Sequence, residues 1–417
     1  MAEPTNTPMP PSTPVPASTP RSTSPAPALP ILTASAVLKL SAMSSPSSPS
    51  APASRRSIVL HIGDPVKYNP ATYEEFSAAF EVIRPSAAER ERPEFIRALK
   101  ERRWGDFSAI FRPFWSTGGE MGQWDAELID LLPDTVKVFA SAGAGFDWAD
   151  TTLLGEKGII YCNSGLAAAE AVADFAVAMV ISTFRHLPWC MTAATLPPSS
   201  PAAFQACHTL APLASHNPRG HTLGLIGLGN IGQQIAAKLG NPAFGMRIAY
   251  HDVIRKPPAL EAALNATFHP TLASLLKVAD CVVLATPASP SGAPLITPST
   301  LSLFKRGARF VNVARGSLVD EDALADALED GRIGAAALDV HSAEPAVNGR
   351  LVAMATQVDG KGTGTLPGPG RVMLTCHNAG GTVETHSGFE ELSMRNVMAV
   401  LGGREAITGV NLGVLRR

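Results

Sequence analysis

Residues 224–232 read Gly-Leu-Ile-Gly-Leu-Gly-Asn-Ile-Gly, an apolar run that closes on three glycines spaced G-x-G-x-x-G. That spacing reads as a dinucleotide cradle. Gly227 allows a tight turn out of a strand, Gly229 lets backbone approach a pyrophosphate, and Gly232 lets the next helix pack closely on the sheet. The helix N-terminus at Asn230 and Ile231 then aims free N–H groups and a positive dipole end at an anion.

Glycine turns also occur for purely structural reasons, so the flanking sequence decides. Residues 222–226 are predicted as a short strand, 231–239 as an Ala-rich helix, and 246–250 as a second strand leading to Asp252, 20 residues beyond Gly232. A carboxylate there accepts both hydroxyls of an adenosine ribose and repels a 2′-phosphate, so the predicted cofactor is NAD. Arg255 and Lys256, just beyond, are the residues through which NADP could be accommodated.

Around this centre, 417 residues suffice for two domains and 45% apolar residues supply their cores. A net charge of −2 gives no footprint for nucleic acid, and no uncharged apolar run of about 18 residues is present, so neither nucleic acid nor a membrane is an expected partner. The five cysteines, 162, 190, 207, 281 and 376, form no C-x-x-C pair. They are predicted to be buried thiols in a reducing, cytoplasmic compartment, and no metal site is expected. Residues 1–56 stand apart, with 13 of the 36 prolines and Glu3 as the one acid. Such a segment buries too little apolar surface to offset its ordering entropy, so disorder is predicted. An acid-poor organellar (mitochondrial) presequence is the alternative for it.

Order is predicted to begin with a strand at 57–62. Strands at 107–111, 136–140 and 158–162 follow, with helices at 73–80, 93–103 and 126–132 between them. That alternation implies a parallel, doubly wound sheet. A long Ala/Val-rich helix at 170–184 leads towards a second such unit. The stretch 196–217, with four prolines by residue 212 and little periodicity, is predicted as a loop. Further strands are predicted at 281–285, 310–313, 334–339 and 373–375, then a helix at 384–401. The glycine-rich 359–370 is predicted as a mobile surface loop. The fold class is therefore α/β, with two doubly wound parallel-sheet domains.

The later strand ends carry polar chemistry. Arg315 stands just past one strand, where its planar fork could hold a carboxylate in two hydrogen bonds. Asp339 and Glu344 supply carboxylates at and beyond another, and His377 follows the 373–375 strand. Singly these read as ion pairs, caps or turns. In a parallel sheet they gather at one edge, where Thr286, Ala314 and Asp339 join the glycines as candidate cofactor contacts. Phe111, Arg112, Phe114 and Trp115 are candidates for a cleft wall suited to aryl or branched side chains.

Through residues 227–232, Asp252, 311–316, 339–345 and 377–382, the chain resembles the D-isomer-specific 2-hydroxyacid dehydrogenase family over residues 57–417. Residues 137–148 and 216–221 resemble its fungal D-mandelate dehydrogenase-like branch. The resemblance implies a Rossmann NAD-binding domain at 165–382, inserted into a discontinuous flavodoxin-like substrate domain made of 57–164 and 383–417. It implies a homodimer formed through 170–184 and the stretch after it. It also implies reduction of 2-oxo acids to D-2-hydroxy acids, the substrates being aryl or branched acids, or glyoxylate and hydroxypyruvate.

By the same resemblance Arg315 binds the substrate carboxylate and polarises the 2-oxo group, His377 is the general acid/base, and Glu344 orients it. Backbone N–H groups at Ala144 and Gly145 hold the carboxylate's other edge, and Asp339 contacts the nicotinamide carboxamide. Histidine suits this step because its ordinary pKa near 6.5 lets it deliver and recover a proton near neutrality. Glu344 argues against formate dehydrogenases, whose histidine pairs with glutamine. Cys376 and Asn378 depart from the proline and aliphatic residue usual beside that histidine. Corepressors on the same scaffold keep the triad, so a non-catalytic NAD-binding regulator is the second class of function.

Overall fold

The computed structural model describes residues 56–114, 121–195, 200–288, 292–356 and 370–415. The predicted disorder before residue 56, Trp115, and the glycine-rich stretch up to residue 369 lie outside the described residues.

Ile58–His61 (β1), Pro70–Ala79 (α1), Glu81–Ile83 (β2), Arg92–Lys100 (α2) and Ala109–Arg112 (β3) begin the first unit. Ala126–Ile129 (α3), Val138–Ser141 (β4), Thr151–Glu156 (α4) and Ile160–Cys162 (β5) complete it. Gly165–Arg185 (α5), Leu187–Thr195 (α6) and Pro201–Ala214 (α7) lead to the second unit. Its first half is Thr222–Ile226 (β6), Asn230–Gly240 (α8), Arg247–His251 (β7), Pro258–Leu264 (α9), Ala266–Phe268 (β8) and Leu272–Leu276 (α10). Its second half is Cys281–Leu284 (β9), Pro298–Leu301 (α11), Ala308–Asn312 (β10), Glu321–Glu329 (α12), Ile333–Leu338 (β11), Gly349–Thr356 (α13) and Val372–Leu374 (β12). Val383–Leu401 (α14) follows.

Both sheets are parallel throughout. The first runs β2-β1-β3-β4-β5 and the second β12-β11-β10-β9-β6-β7-β8. The order reverses between β1 and β3 in one and between β6 and β9 in the other, and a crevice opens beyond the strand carboxyl ends at such points. Alternation along the strands sorts the first core into two layers. Val59, Phe111 and Ala140 face one, and Leu60, Ile110 and Phe139 the other. Phe111, expected in the cleft wall, is therefore fully buried beside His61 and Phe76. One residue step along a strand reverses the side chain, so Arg112 reaches the cleft and Phe111 does not.

The last helix covers the Phe111 layer. α14 lays Met394 and Val397 on that face. Glu390 accepts the N–H groups of Lys67, Tyr68 and Asn69 at 2.7–3.0 Å. Asn411 accepts from Tyr161 N–H at 2.9 Å and donates to the carbonyls of Thr151 and Ile159.

The stretch 196–217, expected as a loop, instead contains α7. Ser200 caps it by accepting from Ala203 N–H at 3.2 Å, and Pro201 stands in the first turn, where its missing N–H is not needed. Pro212 falls near the end and removes one bond from the last turn. α6 and α7 pack as a hairpin through Trp189, Ala193, Cys207 and Ala211. The expectation of buried thiols fails at two positions. Cys376 is exposed in the turn past β12, and Cys190 is half-buried at the edge of the hairpin core. α5 is long and apolar enough to cross a membrane by length and composition. It packs on α8, β10 and β11, and its Asp174 pairs with Lys238 of α8 at 2.8 Å.

Candidate active site

The glycine-rich turn has the shape of a dinucleotide cradle. Gly227 has φ +95°, and a Cβ there would stand 2.5 Å from the Ala285 carbonyl oxygen and 3.3 Å from Thr286 Cα. The ends of β6 and β9 are thus in direct backbone contact. A Cβ on Gly232 would run into the Gly227 carbonyl. On Gly229 it would meet nothing within 4 Å, so the backbone there is open to a phosphate at the N-terminus of α8, and Asn230 is exposed beside it.

Asp252, at the end of β7, accepts from Leu228 N–H at 2.8 Å and lies 3.0 Å from Lys256 Nζ. Burial pushes its carboxyl up, but these two partners outweigh burial and hold it below the usual value. Arg255 is bound twice to Glu261, at 2.8 and 3.0 Å. The open turn, the helix end and the ionised Asp252 fit a dinucleotide.

Arg315 follows β10 in a turn stapled by buried Asn312, which accepts from Ala314 N–H and donates to the Arg315 carbonyl. Its Nε donates to Asp147 at 3.0 Å and its Nη1 to the Ala314 carbonyl at 2.7 Å. The guanidinium lies over Gly145, where a Cβ would collide with it. Among the described residues no acceptor meets the N–H groups of Ala144 or Gly145. Two backbone donors and a planar fork therefore converge on one spot, an arrangement that suits a carboxylate.

His377 sits past β12 with φ +51°, a backbone region that histidine tolerates better than most residues. Buried Asp339 fixes that turn. Its carboxylate accepts from Thr375 Oγ1 and from the N–H groups of Asn378 and Ala379 at 2.7–3.0 Å, and its carbonyl accepts His377 N–H at 2.6 Å. Glu344 Oε2 lies 2.9 Å from His377 Nδ1, while its Oε1 accepts His341 N–H at 2.9 Å. Burial pushes the Glu344 carboxyl up, and these hydrogen bonds hold it below the ordinary range. With Nδ1 facing the carboxylate, Nε2 is the ring nitrogen left for proton transfer. The Glu344 loop is brought alongside because Gly316 has no side chain to keep off the backbone of His341 and Ser342.

A cleft of about 400 Å³ between the two units brings Ala144, Gly145, Ile231, Arg315, Asp339 and His377 together. Glu344 meets it only through His377. Gly227, Gly229, Asn230, Gly232, Asp252, Thr286 and Ala314 lie outside its lining, along the same sheet edge. Phe114 lines the cleft with its ring tilted against His386 at 4.4 Å, and Arg112 lines it with its guanidinium 4.3 Å over Trp148. Trp148, His386 and Phe389 were not among the expected wall residues. The three-residue spacing of His386 and Phe389 on α14 places them on one helix face and is the signal that could have found them.

Residues 200–358 match the family described as D-isomer specific 2-hydroxyacid dehydrogenase, NAD binding domain. The 4-methyl-2-oxopentanoate reductase A of Aspergillus oryzae is 32% identical over 339 residues, covering 81% of this chain and 92% of that protein. The chain belongs to the D-isomer specific 2-hydroxyacid dehydrogenase family. The holo form of Rhodotorula graminis D-mandelate dehydrogenase is similar, with a TM-score of 0.77 at 36% identity, over 86% of this chain and 98% of that one. A glyoxylate reductase from Paecilomyes thermophila gives a TM-score of 0.71 at 31% identity, over 85% and 98% of the two chains. As a member of this dehydrogenase family the chain is an oxidoreductase acting on CH–OH groups, with a Rossmann domain for NAD.

Proposed function

We propose that this dehydrogenase reduces aryl or branched 2-oxo acids to D-2-hydroxy acids with NADH. The observation that carries this reading is the convergence of Arg315, the open N–H groups of Ala144 and Gly145, and the His377–Glu344 pair on one cleft. Arg315 holds the substrate carboxylate against those N–H groups and polarises the 2-oxo oxygen. His377 Nε2 delivers a proton to that oxygen, and Glu344 stabilises the imidazolium before delivery. The glycine cradle would hold NADH, whose chemistry when bound would be hydride supply to the 2-carbon. Asp339 holds the His377 turn and, lining the cleft, would help to hold the nicotinamide carboxamide.

NADH is favoured over NADPH because Asp252 is ionised and both nearby cations, Lys256 and Arg255, already have carboxylate partners. Bulky substrates are favoured by the Phe114, Trp148, His386 and Phe389 wall, and by relatives named for 4-methyl-2-oxopentanoate and mandelate. A homodimer through α5 and the α6–α7 hairpin belongs to the same reading, supported by exposed Met191, Phe204 and Leu213. So do a split substrate domain with boundaries near 164 and 382, and a reducing cytoplasmic compartment in keeping with five free thiols.

Steady-state assays with phenyl-substituted, branched and small 2-oxo acids, each with NADH and NADPH, test the proposal. The expected result is a kcat/KM highest for bulky acids with NADH. Highest efficiency with glyoxylate or hydroxypyruvate would overturn the substrate class. No turnover with any acid would leave a non-catalytic NAD-binding regulator.

A further inference from the structure

A second cavity, of about 370 Å³, lies at the opposite edge of the seven-stranded sheet, where β9, β10 and β11 begin below the end of α5. It is strongly basic. Lys305, Arg306, Arg309 and Arg371 line it with three histidines, 186, 216 and 221, and Asp280 is the one carboxylate among its lining residues. Asp280 is already engaged by Lys305 Nζ at 2.8 Å and by Thr222 N–H at 2.7 Å.

Arg309 decides what the cavity is for. It is only 9% exposed, and its guanidinium lies 4.0 Å over the Phe184 ring. Stacking occupies one face of the group but satisfies none of its five in-plane N–H donors. No acceptor among the described residues meets them, and Nε is wholly buried. Arg371 is half-buried and, among the described residues, gives only Nη1 to a protein acceptor, the Leu328 carbonyl at 2.8 Å. Burying a guanidinium is costly unless an anion comes with it. Arg92 has Asp125 and Glu127 for that purpose and Arg315 has Asp147. Among the described residues Arg309 has no such ion pair, and Asp280 acts on it only from beyond contact distance. Burial, with Arg309 contributing less, also holds His186 and His216 below their usual values.

We propose that this cavity binds a small phosphate-bearing anion, clamped by Arg309 and Arg371 with exposed Lys305 and Arg306 beside them. Two planar forks and several cations over a single engaged carboxylate match a dianion with three or more acceptor oxygens, which a phosphate monoester has and a lone carboxylate lacks. The volume leaves room for an organic skeleton next to the phosphate. Arg309 is the second residue of β10 and Arg371 directly precedes β12, and these strands lead at their other ends to Arg315 and His377. A ligand here therefore rests on the two strands that carry the catalytic pair.

Calorimetric titration of the full-length, NADH-saturated protein with inorganic phosphate, and in parallel with glycerol 3-phosphate, at constant ionic strength tests the site. The expected result is saturable binding that weakens at least about tenfold in Arg309→Met and in Arg371→Met. Arg315→Lys, which alters only the catalytic cleft, leaves it unchanged. Tighter binding of glycerol 3-phosphate identifies an organic phosphate as the occupant, and equal binding identifies the free ion. NADH binding by each variant verifies that it has folded. Absence of saturable binding in the unaltered protein overturns the proposal, as does an isotherm that Arg309→Met and Arg371→Met leave intact. A changed oligomeric mass in Arg309→Met with unaltered phosphate affinity would assign the cavity to contact between copies of the chain, and would overturn it equally.

Discussion

At the carboxyl edge of the seven-stranded sheet, Arg315, His377 and Lys256 each face a carboxylate of the chain, Asp147, Glu344 and Asp252. At the amino edge of the same sheet, Arg309 faces an aromatic ring and Arg371 a single carbonyl. In the first arrangement each of these groups already has a carboxylate partner that fixes its position. The second leaves charge unbalanced inside the protein and gains from any anion that enters. Basic side chains are thus set in two ways in one domain, held by carboxylates at the carboxyl edge and, at Arg309 and Arg371, left without an ion pair among the described residues at the amino edge.

The largest effect should come from the carboxyl edge. His377→Ala should lower turnover by about 10²–10⁴-fold while NADH affinity, followed by fluorescence, stays near that of the unaltered protein. An equal loss of NADH affinity would make His377 a structural residue and dissolve the contrast. Next in size, Arg315→Lys should raise KM for the 2-oxo acid by about tenfold or more, because an ammonium lacks the fork. An unchanged KM would remove Arg315 from the substrate.

Smaller, and opposite in sign, is the amino-edge effect. Arg309→Met should stabilise the protein in phosphate-free buffer by on the order of 1 kcal/mol in urea denaturation, since an unpaired buried charge is replaced by an apolar group of similar length. A loss of stability would show that Arg309 already has its counter-charge. Smallest is a pH effect. Glu344 is held below its ordinary value of 4.5, so its contribution is full above that value and is lost as pH falls through the lower folded one. Acidification should therefore cost the unaltered protein more stability than Glu344→Gln. The difference should stay below about 1 kcal/mol, because the Glu344 side chain is 36% exposed. Arg309→Met should leave this acid limb unshifted.

The carboxyl edge was far more legible in the sequence than the amino edge. Gly227 to Gly232, Asp252, Arg315, Glu344 and His377 each follow a strand or lie within a short recognisable pattern, and a parallel sheet brings all such strand ends to one side. The alternation of strands and helices likewise gave both sheets. Legibility failed where packing overrode local pattern. Prolines hid α7, because two of the four stand before the helix, one in its first turn and one near its end, where each is tolerated. Phe111 lies where the first domain faces the cleft and was expected in its wall, although period-two alternation turns it inward. The cleft wall draws Trp148 and His386 from distant parts of the chain. The amino-edge cavity collects residues 186, 216, 280, 309 and 371, which share no motif and meet only because successive strands begin side by side.

The reliance of the first sheet on α14 also sets a schedule for synthesis. β1 to β5 leave the ribosome with the whole cofactor unit still to be made, and Val59, Phe111 and Val138 lack the cover that Met394 and Val397 later provide. Translation that ends between β12 and α14 therefore yields a chain able to complete its seven-stranded sheet but carrying a partly uncovered apolar face on its five-stranded one, a surface that neighbouring nascent chains would bind.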